Sequence, residues 1–161
     1  MLLRFLVLIL YLVVSVSSVT AAEGNAIKPS NKDKCPVCGM FVSKYHDFLA
    51  RIILEDNTSL FFDGPKDMFK FCQNRQHYLP SKAGKKIKEI LVTDYYQLKA
   101  ADGKKAWYVI GSDILGPMGR ELIPFGAEKD ALEFMKDHNG KRSVRFSEVT
   151  PALLREIEQN P

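Results

Sequence analysis

The sequence predicts an α+β fold: two ββαβ units with a helix at the C-terminal end. Three observations carry that expectation. Apolar and polar residues alternate from Phe48 to Glu55 and resume as Leu60-Phe61-Phe62 after Asp56-Asn57-Thr58, the pattern of a strand, a hairpin turn and a return strand. Asp63-Gly64-Pro65 then reads as a helix start, with Met68, Phe69 and Cys72 at helical spacing behind it. Finally, the order repeats: Phe62, Lys66, Asp67 and Phe71 are matched by Phe125, Lys129, Asp130 and Phe134, each 63 positions later. Each unit would leave an apolar sheet face to bury against its helix or its twin.

The chain has 161 residues, and residues 1–22 have the make-up of an export signal. Arg4 supplies the basic start, an apolar run interrupted only by Ser15 extends from Phe5 to Val16, and Thr20-Ala21-Ala22 offers a cleavage site. The apolar run is short for a membrane span; an uncleaved anchor is the alternative. No lipobox cysteine follows the segment. The chain is expected to be exported.

Of 23 basic and 19 acidic residues only Arg4 lies in the signal, so the remainder carries 22 against 19 and a net charge of +3. That is too mild to argue for nucleic acid. Three cysteines is an odd number for an exported chain, so one thiol at least is free, metal-bound or paired elsewhere.

Residues 23–34 are polar and read as a flexible leader. The first unit is expected over 35–98. It opens on Cys35-Pro36-Val37-Cys38-Gly39-Met40, then the hairpin, a helix from Pro65 to about Asn74, a polar basic loop over 75–86, and a strand from Ile87 to Tyr96. The second unit is expected over 99–161. A turn at Asp102-Gly103 precedes a strand at Trp107 to Ile110. A loop containing Gly116-Pro117-Met118-Gly119 leads to a strand at Glu121 to Phe125. A helix from Ala127 to His138 ends at Asn139-Gly140, a strand covers Ser143 to Phe146, and Thr150-Pro151 opens the last helix.

The sulfur atoms suggest the chemistry. A thiolate with thioethers is the donor set of a soft monovalent ion, above all Cu(I). Cys38 and Met40 are two apart, and Gly39 lets the chain turn tightly or approach an ion. Met118 stands in a glycine-flanked turn, a poor place for a packing residue and a good one for presenting a thioether. Cys38, Met40 and Met118 are therefore the expected Cu(I) ligands, with Cys35 an accessory or redox-sensitive neighbour. One thiolate and two thioethers would neutralise Cu(I). Cys72 reads as a buried structural thiol, Met68 and Met135 as core, and Asp63 as a helix cap rather than a ligand. Zinc would need a second ligand pair that the cysteines and scattered histidines do not offer. No catalytic constellation stands out, so the chain is not expected to be an enzyme.

Five blocks in order, Cys35 to Val42, Phe62 to Asp67, Val92 to Tyr96, Tyr108 to Asp113 and Gly116 to Gly119, resemble the NosL-type accessory proteins of nitrous oxide reductase. The resemblance implies two ββαβ units of the organomercurial-lyase-like topology. It implies a periplasmic Cu(I) metallochaperone that serves denitrification by supplying the copper centres of the nitrous oxide reductase apoprotein. Its implied partner is the periplasmic subunit of a membrane ABC-transporter complex, and the family's ligands match Cys38, Met40 and Met118. Two alternatives remain. A YHS/TRASH-like heavy-metal module also carries a Cys-Gly-Met block, but is shorter and usually has a further cysteine near the place of Asp63. A CxxC thiol oxidoreductase would cycle Cys35 with Cys38 and would not need Met118.

Overall fold

The structure is a computed structural model that describes residues 26–159. The expected signal, residues 1–22, lies outside the described residues, as do the first residues of the leader.

The first unit contains β1 (Ala50–Leu54), β2 (Ser59–Phe62), α1 (Pro65–Gln73), a short α2 (Arg75–Tyr78) and β3 (Ile87–Thr93). β1 lies between β2 and β3 and is antiparallel to both. The turn between β1 and β2 places Asn57 at φ 60, a conformation asparagine tolerates well. Proline in the first turn of α1 loses no hydrogen bond, because that N–H has no partner within the helix.

The second unit contains β5 (Trp107–Ile110), the two-residue strands β6 (Leu115–Gly116) and β7 (Gly119–Arg120), then β8 (Ile123–Phe125), α3 (Glu128–Asp137) and β9 (Arg142–Arg145). β5 lies between β8 and β9, antiparallel to both. Both units thus place their first strand in the middle and their last two at its sides. α4 (Pro151–Gln159) closes the chain.

Four expectations need correction. Ala100–Asp102 is a strand, β4, which pairs with β3 at the edge of the first sheet. The first sheet therefore keeps the chain past the expected boundary at 98/99. The loop over 75–86 holds α2 and a single 3-10 turn at Pro80–Lys82. The loop over 111–119 folds into the β6–β7 hairpin. The described part of the leader is docked, not loose: Ile27 is buried in the core, and Lys34 forms an antiparallel bridge with Phe41.

The larger core gathers Ile52, Leu54, Ile90 and Val92 from the first sheet and Met68, Phe69 and Phe71 from α1. Tyr108, Ile110 and Val144 of the second sheet, and Leu153, Leu154 and Ile157 of α4, enter the same core. The smaller core holds Val109, Ile123, Phe125, Ala131 and Phe134. β5 supplies both, because successive side chains of a strand face opposite ways. α1 is consequently covered on several sides, and its N-terminus is where the two units meet.

Candidate metal centre

Cys35 to Met40 forms a loop closed on itself. The Cys35 N–H donates to the Met40 carbonyl at 2.9 Å, and the Gly39 N–H donates to the Cys35 carbonyl at 2.9 Å. Gly39 sits at φ 79, a left-handed conformation that costs a side-chain-bearing residue about 1–2 kcal/mol. The segment is thus a turn and not an extended strand, so Cys38 and Met40 do not share a side by strand alternation. Both are half-buried.

The turn rests on the entry of α1. Cys35 Sγ donates to Asp67 Oδ2 at 3.3 Å, and Cys38 Sγ donates to Asp63 Oδ1 at 3.3 Å. Ligand atoms of Cys35, Cys38, Asp63 and Asp67 all lie within 4.8 Å of one another. Asp63 corrects the expectation of a cap: Gly64 is the capping residue, no side chain caps α1, and the Asp63 carboxylate turns to the thiol instead. Asp67 was not anticipated at all. Asp63 precedes the cap and Asp67 lies within the helix, so no helical period links them in the sequence.

All three cysteines are thiols. Burial, reinforced by the Asp63 carboxylate, raises the Cys35 thiol far above its ordinary range. Burial also pushes the Cys38 thiol up to about 12. At neutral pH both hold their protons and offer them to the carboxylates. Cys72, half-buried against the core, is raised to about 11 by burial and lies apart from this group. Two thiols and two carboxylates supply the second ligand pair that the sequence did not reveal. Such a mixed set can hold a borderline divalent ion such as zinc in four-coordinate geometry. It also changes the expected charge balance, because two carboxylates stand beside the one thiolate and two thioethers.

Met118 occupies the tip of the β6–β7 hairpin and is 49% exposed. It is neither on a helix nor in the interior. Its backbone is tied to the entry of α1: Lys66 Nζ donates to the Met118 carbonyl at 2.8 Å and to the Arg120 carbonyl at 2.6 Å. Glu121, next along the chain, is buried, and its Oε1 accepts from the Lys66 N–H at 2.6 Å and the Leu122 N–H at 2.9 Å. Burial raises the Glu121 carboxyl to about 8. The structure thus brings Cys35, Cys38, Asp63 and Asp67 together, and fastens the Met118 hairpin to the helix turn that carries Asp67.

The histidines take no part in this cluster. His138 Nδ1 pairs with Asp113 Oδ1 at 3.1 Å, and His77 stacks edge-on to Tyr78. Tyr95, Tyr96, Phe125 and Phe134 pack as one aromatic group. Met68 is fully buried and Met135 packs on the smaller core, as their helical spacing implied.

The copper-binding lipoprotein NosL of Stutzerimonas stutzeri is 28% identical over 131 residues, which cover 78% of this chain and 66% of that protein. The crystal structure of the copper chaperone NosL from Shewanella denitrificans is similar, with a TM-score of 0.64 and 25% identity over 80% of this chain and 98% of that one. The solution structure of apo-NosL from Achromobacter cycloclastes aligns with 26% identity over 65% of this chain and 87% of that one, at a TM-score of 0.45. A sequence model of the NosL family matches residues 26–154, from the docked leader into α4, and the chain therefore belongs to the NosL family.

Proposed function

We propose that this protein is a Cu(I) metallochaperone of the periplasm, with Cys38, Met40 and Met118 holding the ion and Cys35 as a redox-sensitive neighbour. Copper is the cargo, and no catalytic role is assigned. The observation that carries the reading is the cysteine turn seated on the entry of α1, in a chain whose relatives are named copper-binding or copper chaperone proteins. A half-buried thiol and a half-exposed Met118 thioether suit loading and release better than a closed cage would. Thioethers are weak donors, and an exposed Met118 can be displaced by an incoming ligand.

The destination is the nitrous oxide reductase apoprotein, reached with the periplasmic subunit of an ABC-transporter complex. Phe41, Leu115 and Met118 are large apolar side chains left exposed on the two sulfur-bearing segments, the kind of surface that marks a docking face. No described helix is long and apolar enough to cross a membrane.

Titration of the reduced protein with Cu(I), followed by X-ray absorption at the copper edge, tests the ligand set. One ion in an all-sulfur shell is expected. Cys38→Ser should abolish tight binding, because serine offers no soft donor. Met118→Leu should remove one sulfur from the shell. Full affinity in Met118→Leu, or a larger loss in Cys35→Ser than in Cys38→Ser, refutes the assignment. Restoration of copper to the apo-reductase by the loaded protein tests delivery.

The four clustered donors favour a second reading, in which Cys35, Cys38, Asp63 and Asp67 hold a divalent ion such as Zn(II). Metal analysis of the purified protein, with Asp63→Asn alongside, separates the two. Zinc retained by wild type and lost from Asp63→Asn would support it.

A further inference from the structure

We infer that Lys66 and Glu121 are positioning residues for copper: they clasp the Met118 hairpin to the entry of α1 and so hold the Met118 thioether at its working distance. This inference rests on the reading of Met118 as a ligand.

Lys66 is only 3% exposed, an unusual burial for a lysine. Its side chain crosses from α1 to the hairpin and donates to two carbonyls on either side of Gly119, those of Met118 and Arg120. Its own N–H is taken by Glu121, whose carboxylate also accepts from Leu122. The backbone of α1 therefore holds the root of the hairpin while the side chain of Lys66 holds its tip. Two glycines make room. A Cβ on Gly64 would stand 2.2 Å from Glu121 Oε2, and one on Gly116 would stand 3.0 Å from Glu121 Cβ. Gly116 therefore does more than permit a turn: it lets the hairpin close onto the carboxylate.

The consequence is a fixed base with a free arm. The backbone of residue 118 is held by a charge-assisted hydrogen bond, while its side chain is half in solvent. A two-residue hairpin with strands of two residues has little stability of its own, so without the clasp its tip would wander. Ordering the arm in advance lowers the entropic cost of closing it on the metal.

The test is a double-mutant cycle between Lys66→Leu and Met118→Leu, read by Cu(I) affinity and by the number of sulfurs around copper. Lys66→Leu keeps an apolar stem and removes the donor without adding a sulfur near the site. Supports of this kind typically cost about 10- to 100-fold in metal affinity when lost, and that loss is expected here, with one sulfur fewer at copper. In the Met118→Leu background Lys66→Leu should cost nothing further. An equal loss in both backgrounds, or an intact sulfur shell with undiminished affinity in Lys66→Leu, overturns the clasp alone. Wild-type affinity in Met118→Leu overturns the ligand reading, and the clasp with it. If Lys66→Leu does not fold, Gly116→Ala, which presses the hairpin off Glu121, takes its place in the same cycle with the same expected outcomes.

Discussion

The two units place their first strand between two later ones in the same way, yet only the helix of the first has the thiol and carboxylate cluster at its entry. The residues that repeat 63 positions apart divide cleanly. The aromatic pairs do the same work twice: Phe62 and Phe71 stack at 5.4 Å between ring centres, Phe125 and Phe134 at 5.0 Å, and all four are buried. The polar pairs do not. Lys66 is buried and bridges to the hairpin, whereas the side chain of Lys129 is 85% exposed. Asp67 meets the Cys35 thiol, whereas the nearest cation to Asp130 is that same lysine, at 3.9 Å. The difference is what covers the helix entry. The cysteine turn and the β6–β7 hairpin lie over the start of α1, while the start of α3 meets solvent. A shared topology supplies two equivalent helix entries; the cluster of thiols and carboxylates arises where other chain segments enclose one of them.

The entries also hold each other. Glu121 of the second unit accepts from the Lys66 N–H at the start of α1, and Asp94 at the end of the first sheet accepts from the Gly126 N–H ahead of α3, each at 2.6 Å. This exchange of buried carboxylates helps fix the two units against each other.

The comparison can be broken first at its apolar half. Phe71→Ala and Phe134→Ala should each cost about 3–5 kcal/mol in urea unfolding, since each empties a fully packed site. A large cost at one and almost none at the other would show that the two cores are not equivalent. The polar half should then separate the units. Asp67→Asn is expected to lower metal affinity by about 10- to 100-fold, as loss of a group beside the ligands typically does. Asp130→Asn should leave affinity unchanged. Equal behaviour of the two variants in a metal titration would mean that the carboxylate facing Cys35 has no part in the site.

The parts legible in the sequence are those with local causes. Strand alternation, proline at the first turn of α1 and the spacing of the phenylalanines depend on neighbours a few residues apart. The carboxylate half of the cluster was hidden behind such a local cause, because Asp63-Gly64-Pro65 has the composition of a cap. Only tertiary placement shows that a cysteine 25 positions earlier claims its side chain. Lys66 with Glu121 is a contact across 55 residues and leaves no periodic trace. Ile27, a lone apolar residue in a polar run, gave no sign that it docks into the core. The strands of β6 and β7 are too short for alternation to show.

The finest distinction between the units is their response to pH. In the proposed site Cu(I) takes the Cys38 thiolate, and the Cys38 thiol is pushed up to about 12 by burial, with Cys35 raised further. Both thiols hold their protons at neutral pH, so each thiolate that binds the ion must first lose one, and affinity is expected to rise with pH. Each proton released contributes about tenfold per pH unit well below the thiol pKa. A slope of one decade per unit between about pH 6 and 8 would mean that Cys38 alone ionises; two decades would bring in Cys35 as a second thiolate. Folding itself does not obscure this window. A thiol raised in the folded state stabilises the fold fully below its unfolded value of about 8.5, and that stabilisation is lost only as pH climbs from there towards the folded value. Asp130→Asn should follow the wild-type slope throughout. A flat titration of affinity against pH would mean that copper is held without displacing a thiol proton, and would remove Cys38 from the ligand set.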